Sequence, residues 1–115
     1  MISLFSSLPE ALFWGLVAHA VADYALQSEF IAHHKDPSCT HYDKIKVGPW
    51  WWTLTAHSLI NGGAVALVFG VPYGLAETLI HGVTDYSKCR GYISAEVDQF
   101  IHIACKVAYA YLFIA

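Results

Sequence analysis

Four pairs of residues at i,i+4 spacing carry side chains that bind metals or move protons: His19/Asp23, His57/Asn61, His81/Asp85 and Asp98/His102. Residues four apart lie on one face of an α-helix. One pair falls on each of four apolar segments. Helices that turn these faces inward would gather four imidazoles and three carboxylates. Neutral imidazole and carboxylate suit a divalent ion such as Zn, Mn, Fe, Co or Ni. The metal reading takes His19, Asp23, His57, His81, Asp85, Asp98 and His102 as candidate ligands. These donors exceed the needs of a closed tetrahedral site. The surplus points either to two ions about 3.5–4 Å apart or to one ion with carboxylates behind it. Water bound there would be activated, with Asp23, Asp85 or Asp98 as general base.

The bland alternative is a buried network in which each histidine bonds a carboxylate on a neighbouring helix and glues the helices together. A single pair would favour that reading; four pairs at one depth favour a metal. Haem fits poorly, because a porphyrin wants apolar walls and these histidines are ringed by carboxylates. The Glu-x-x-His pattern of di-iron bundles is missing, so their oxidase chemistry is not carried over. Ser58, Thr84 and Ser87 have no base arranged for nucleophilic catalysis. His33, His34, Cys39 and His41 match no zinc-finger spacing and read as a solvated loop. Glu77 and Lys106 read as a structural ion pair, with a proton relay as the sharper alternative. Gln27 and Gln99 adjoin the aspartates and could orient them behind the ligands.

The elements that must position these residues are apolar helices. The chain has 115 residues, is 57% hydrophobic and only 13% charged. An average soluble domain is about 25% charged. The mean hydropathy is +0.46. These values point to a single integral-membrane domain over residues 1–115. The net charge of -3 leaves no footprint for nucleic acid. The cysteines Cys39, Cys89 and Cys105 are odd in number and contain no CxxC, so they read as free thiols. Ala18-His19-Ala20 mimics a cleavage site, but no Lys or Arg precedes the apolar stretch, so the segment reads as a retained helix.

Start and stop signals predict helix 1 over Leu8–Gln27, helix 2 over Trp50–Phe69, helix 3 over Tyr73–Lys88 and helix 4 from Ile93 onward. A polar loop, Ser28 to Pro49, separates the first two. Helix 3 is short for a bilayer and would cross with local thinning. The pattern H-x-V-x-D-Y occurs at His19–Tyr24 and again at His81–Tyr86, which suggests two related helical hairpins. The fold expected is all-α, a transmembrane four-helix bundle of two such hairpins. Gly15, Gly62, Gly63, Gly74 and Gly82 mark close helix approach.

Lys35, Lys44 and Lys46 lie in the loop between helices 1 and 2, and Lys88 and Arg90 lie between helices 3 and 4. The positive-inside rule then puts both loops in the cytoplasm. Trp50, Trp51 and Trp52 would anchor that interface, and Tyr73, Tyr109 and Tyr111 the opposite one. Counted from the cytoplasmic ends, all four histidines fall roughly 10–13 Å deep. Asp23, Asp85 and Asp98 fall one turn shallower; Asn61, Glu77 and Lys106 fall one turn deeper. The outer half offers few polar groups, which argues against a through-going channel.

The blocks AHAVADYALQSEF, TAHSLINGGA, IHGVTDY and VDQFIHI resemble an uncharacterised integral-membrane family of bacteria and their phages. Its pattern H-x-x-x-D-[FY]-x-L-Q falls on His19, Asp23, Tyr24, Leu26 and Gln27. H-[AS]-L-I falls on His57–Ile60, H-x-x-x-D on His81 and Asp85, and D-Q-x-x-H on Asp98, Gln99 and His102. The resemblance covers nearly the whole chain. It implies a multi-pass protein of the bacterial inner membrane and implies no activity. A likeness to membrane-bound metal-dependent hydrolases with H-x-x-x-D helices is analogy only.

Two functions stay open. One is a metal-dependent hydrolase that cuts a phosphoester or acyl bond in a lipid or lipid-linked substrate at the cytoplasmic face. The other is a non-enzymatic membrane module, phage-encoded or not, that senses a metal or docks on a membrane protein. Carboxylates at the mouth exceed what a structural site needs, which favours the hydrolase slightly. The partners expected are the lipid bilayer and either a second copy or another membrane protein.

Overall fold

The computed structural model describes residues 6–37 and 49–115, and every regular element among them is helical. Helix α1 spans Leu8–His19 and runs directly into a π-helical segment, Ala20–Ala25. Then come α2 (Glu29–His34), α3 (Trp50–Phe69), α4 (Val71–Cys89) and α5 (Ala95–Ile114). Local chemistry sets these bounds. Pro9 and Pro72 sit in the first turns of α1 and α4, where no amide donor is needed. Ser28 and Ser94 cap α2 and α5 by accepting from the amides of Ile31 and Val97.

The second expected helix is met at both ends by α3. The third is longer than expected, with α4 starting at Val71 and ending at Cys89. The fourth begins at Ala95 rather than Ile93, after its serine cap. The expected polar loop contains α2, a helix too short for periodicity to reveal. Cys39, His41, Asp43, Lys44 and Lys46 lie outside the described residues.

Contacts among the long helices run around a ring, α1 to α3 to α4 to α5 and back to α1. The most extensive are α3 with α4 and α1 with α5, rather than the expected hairpin partners α1/α3 and α4/α5, which touch less. The α3/α4 contact follows from its link. Gly70 alone separates the two helices, and its φ of 108° is closed to other residues without strain. The backbones then approach closely. A Cβ on Gly74 would stand 2.6 Å from the Gly62 carbonyl oxygen and 2.6 Å from the Ala66 Cβ.

One end of this ring is apolar. Ala11, Val65, Val68, Phe69 and Ala110 are buried there, and the rings of Phe69, Tyr73, Tyr109 and Phe113 pack with centroids 5.8–6.3 Å apart. Tyr109 is not the interfacial anchor expected of it. It is buried, and its hydroxyl donates inward to Glu77. Tyr111 is exposed.

The other end is polar inside and apolar outside. Among the largest fully buried side chains are Lys106, His57, His81, His102, Glu77, Asn61, Asp85 and Asp98. The outside is apolar at both ends: Leu67, Leu75, Leu79, Val83, Phe100 and Leu112 are each at least 64% exposed. A water-soluble fold has the reverse distribution. Ser58, Thr78, Thr84 and Ser87 each donate to the carbonyl four residues back, which satisfies a hydroxyl without water. Two helices, α3 and α5, are long and apolar enough to cross a membrane.

Candidate metal centre

All of the expected ligands are buried: His19, Asp23, His57, His81, Asp85, Asp98 and His102 are at most 8% exposed. Helix α3 supplies His57, α4 supplies His81 and Asp85, and α5 supplies Asp98 and His102. Asp23 comes from the π-helical segment Ala20–Ala25. Three sets of donor atoms lie within 4.8 Å of one another: Asp23, His57 and His81; Glu77, His81 and His102; and Asp23, Asp98 and His102.

Asp23 Oδ1 is the hub of the first set. It accepts from His57 Nε2 at 3.2 Å and lies 3.6 Å from His81 Nε2. Asp85 Oδ2 closes the same space at 3.5 Å from His57 Nε2 and 3.9 Å from His81 Nε2. Neither ring nitrogen of the fully buried His81 makes a hydrogen bond within the protein. A polar ring so placed is costly unless something meets it. Its Nε2 faces two carboxylates at distances too long for hydrogen bonds and wide enough for a shared cation.

The His81 ring stacks on that of His102, with centroids 4.2 Å apart and planes 19° from parallel. His102 Nε2 donates to Asp98 Oδ1 at 3.1 Å. Gln99 ties the two aspartates together. Its amide donates to Asp23 Oδ2 at 3.1 Å and Asp98 Oδ2 at 3.2 Å, while its carbonyl accepts from the Tyr24 hydroxyl.

His19 stands apart from the three donor sets. Its Nε2 donates to Gln99 Oε1 at 3.0 Å, so the expected ligand instead orients the glutamine that orients Asp23. Asn61, expected one turn deeper than the histidines, is buried and donates to the His57 carbonyl. The Glu77–Lys106 ion pair is present, at 2.5 Å. His34 donates to the Phe30 carbonyl and stacks on the Phe30 ring, so it is turned toward α2 itself.

One residue was unforeseen. Lys35, at the end of α2, is only 3% exposed, and its ammonium donates to Asp85 Oδ2 at 2.6 Å and to Gln27. Lys88 reaches the other oxygen, Asp85 Oδ1, at 3.2 Å and lies 3.7 Å from Asp98 Oδ2. The only sequence signal for Lys35 is the serine cap at Ser28 followed by Phe30-Ile31, which announces a short helix able to carry it inward.

No protein-family model matches this chain, and neither curated proteins nor solved structures yield a match. Function therefore has to be argued from the geometry.

Proposed function

We propose that this chain is a multi-pass protein of the bacterial inner membrane that binds one divalent metal ion and uses it to hydrolyse a lipid or lipid-linked substrate at the cytoplasmic face. The membrane reading rests on the inverted distribution of polarity, since ionisable groups in a bilayer face the helix interior. The ring of contacts supports a transmembrane four-helix bundle, and the H-x-V-x-D-Y repeat supports two related halves, although the most extensive packing is α3 with α4 and α1 with α5. The resemblance to the uncharacterised integral-membrane family supports the same architecture. The bilayer is its first partner. The basic residues at Lys35, Lys88 and Arg90 support a cytoplasmic position for the loops that carry them.

The observation that carries the metal reading is His81, a fully buried ring whose nitrogens lie beyond hydrogen-bond distance of the carboxylates they face, Nε2 toward Asp23 and Asp85 and Nδ1 toward Glu77 at 3.8 Å. Charge favours one ion over two. The carboxylates are Asp23, Glu77, Asp85 and Asp98, and the ammonium groups paired with them are Lys35, Lys88 and Lys106. With neutral imidazoles, four against three leaves one negative charge. One divalent ion turns this into a single positive charge, which a hydroxide or an anionic substrate offsets. Two ions would leave three positive charges buried, a costly arrangement.

His57, His81 and Asp23 would hold the ion, and Asp85 stands next to them. Such an ion supplies water activated toward hydroxide at neutral pH. Gln99 fixes the Asp23 carboxylate, and His19 and Tyr24 fix Gln99. Asp98, which accepts from His102, would take the proton on this reading.

The second reading is a non-enzymatic module in which the polar cluster is structural. The closed His57–Asp23 and His102–Asp98 hydrogen bonds favour it. Cobalt(II) substitution separates the two. The hydrolase reading expects visible ligand-field bands of a nitrogen–oxygen site that keeps an open position, lost in His57→Ala. A spectrum of hexaaqua cobalt in the wild-type protein would leave the structural network as the explanation.

A further inference from the structure

Two carboxylate oxygens face the same pair of imidazoles. Asp23 Oδ1 lies 3.2 Å from His57 Nε2 and 3.6 Å from His81 Nε2. Asp85 Oδ2 lies 3.5 Å and 3.9 Å from the same two nitrogens. By distance alone, either oxygen could join an ion held there. Their other partners separate them. Asp23 is steadied through its second oxygen, Oδ2, by the uncharged amide of Gln99, which leaves Oδ1 free to meet a cation. Asp85 is taken at the facing oxygen itself, because Lys35 Nζ donates to Oδ2 at 2.6 Å. A metal ion on that oxygen would put two cations on one atom. Asp85 also belongs to none of the three donor sets.

Lys35 is fixed in this position. It is 3% exposed, and its ammonium also donates to Gln27. Among the described helices, α2 packs against α3 alone, so Lys35 is its tie to α4. Lys88 does not take its place, since it faces the other oxygen of Asp85 and is shared with Asp98. Three protein ligands and a free position mark a catalytic ion, whereas four protein ligands mark a structural one. We propose, on the metal reading above, that Lys35 is a positioning residue that holds Asp85 off the ion and so keeps one coordination position for water. Without Lys35, Asp85 Oδ2 joins His57, His81 and Asp23, and water is displaced.

The test measures zinc affinity by chelator competition on full-length, detergent-purified protein, for wild type, Lys35→Met, Asp85→Asn and the double variant. Lys35→Met should bind zinc about tenfold more tightly. Loss of a positive charge alone would also tighten binding, so the cycle decides. Charge effects add, whereas a new ligand makes Asp85→Asn cost about tenfold more in the Lys35→Met background than in wild type. Cobalt(II) gives a second readout. Its bands should shift in Lys35→Met, where carboxylate replaces water, and return in the double variant. Asp85→Asn alone leaves Lys35 buried without a carboxylate, so if it fails to fold, the cobalt bands of the other two variants carry the test. Lys35→Met with wild-type affinity and bands, or an additive cycle, overturns the positioning role and leaves the metal reading standing. Wild-type protein that binds neither zinc nor cobalt overturns both.

Discussion

Lys106 Nζ and Glu77 Oε2 meet at 2.5 Å between α5 and α4, with the side chains 2% and 0% exposed. Tyr109 donates to the other oxygen of Glu77 at 3.2 Å. Removing one partner leaves a buried charge with no counterion. Lys106→Met should therefore lower stability by about 3–5 kcal/mol. Adding Glu77→Gln should recover most of that loss. Thermal unfolding in detergent measures both, and a single variant as stable as wild type would show that the pair is not closed off from water.

Close approach of α3 and α4 gives a second expectation. Gly74→Ala places its new Cβ 2.6 Å from a carbonyl oxygen and from Ala66, so the helices must part. The expected cost is about 1–3 kcal/mol. A Cβ at Gly63 meets nothing within 4 Å. Gly63→Ala should stay within about 0.5 kcal/mol of wild type. Equal effects at the two positions would mean that α3 and α4 are not packed as described.

The surface distinguishes a bilayer from water. Leu79 sits mid-way along α4 and is 73% exposed. In water, Leu79→Lys would be neutral or improve solubility. In a bilayer, lysine near the middle of a span costs about 2.5–3.5 kcal/mol. The wild type should resist alkaline extraction from membranes, and Leu79→Lys should insert less. Protein that fractionates as soluble, with the lysine variant unchanged, would rule out the membrane reading.

Much of the site was legible because i,i+4 spacing reports a shared helix face. That logic brought His57, His81, His102, Asp23, Asp85 and Asp98 to one buried cluster before any helix was seen. It could not report partners. The His57 ring bonds Asp23 on another element while Asn61 reaches only the His57 backbone carbonyl, and His19 bonds Gln99, since spacing names the face and not its neighbour. The π-helical segment at Ala20–Ala25 has no sequence signature, yet it carries the Asp23 that meets His57. Lys35 falls in the expected polar loop because a six-residue helix shows no period, and its burial depends on where α2 docks. Boundaries were clearest where glycine, proline or serine marks them, as at Gly70 and Pro49.

The most direct test of the central claim is metal content. Protein purified in detergent without chelator should carry one divalent ion per chain by mass spectrometry. His81→Ala and Asp23→Asn should lose it, and His33→Ala, on α2 and away from the donor sets, should keep it. Wild-type protein with no bound metal at any stoichiometry, as stable as the metal-exposed sample, would contradict the account and leave the buried histidines and aspartates as structural hydrogen bonds.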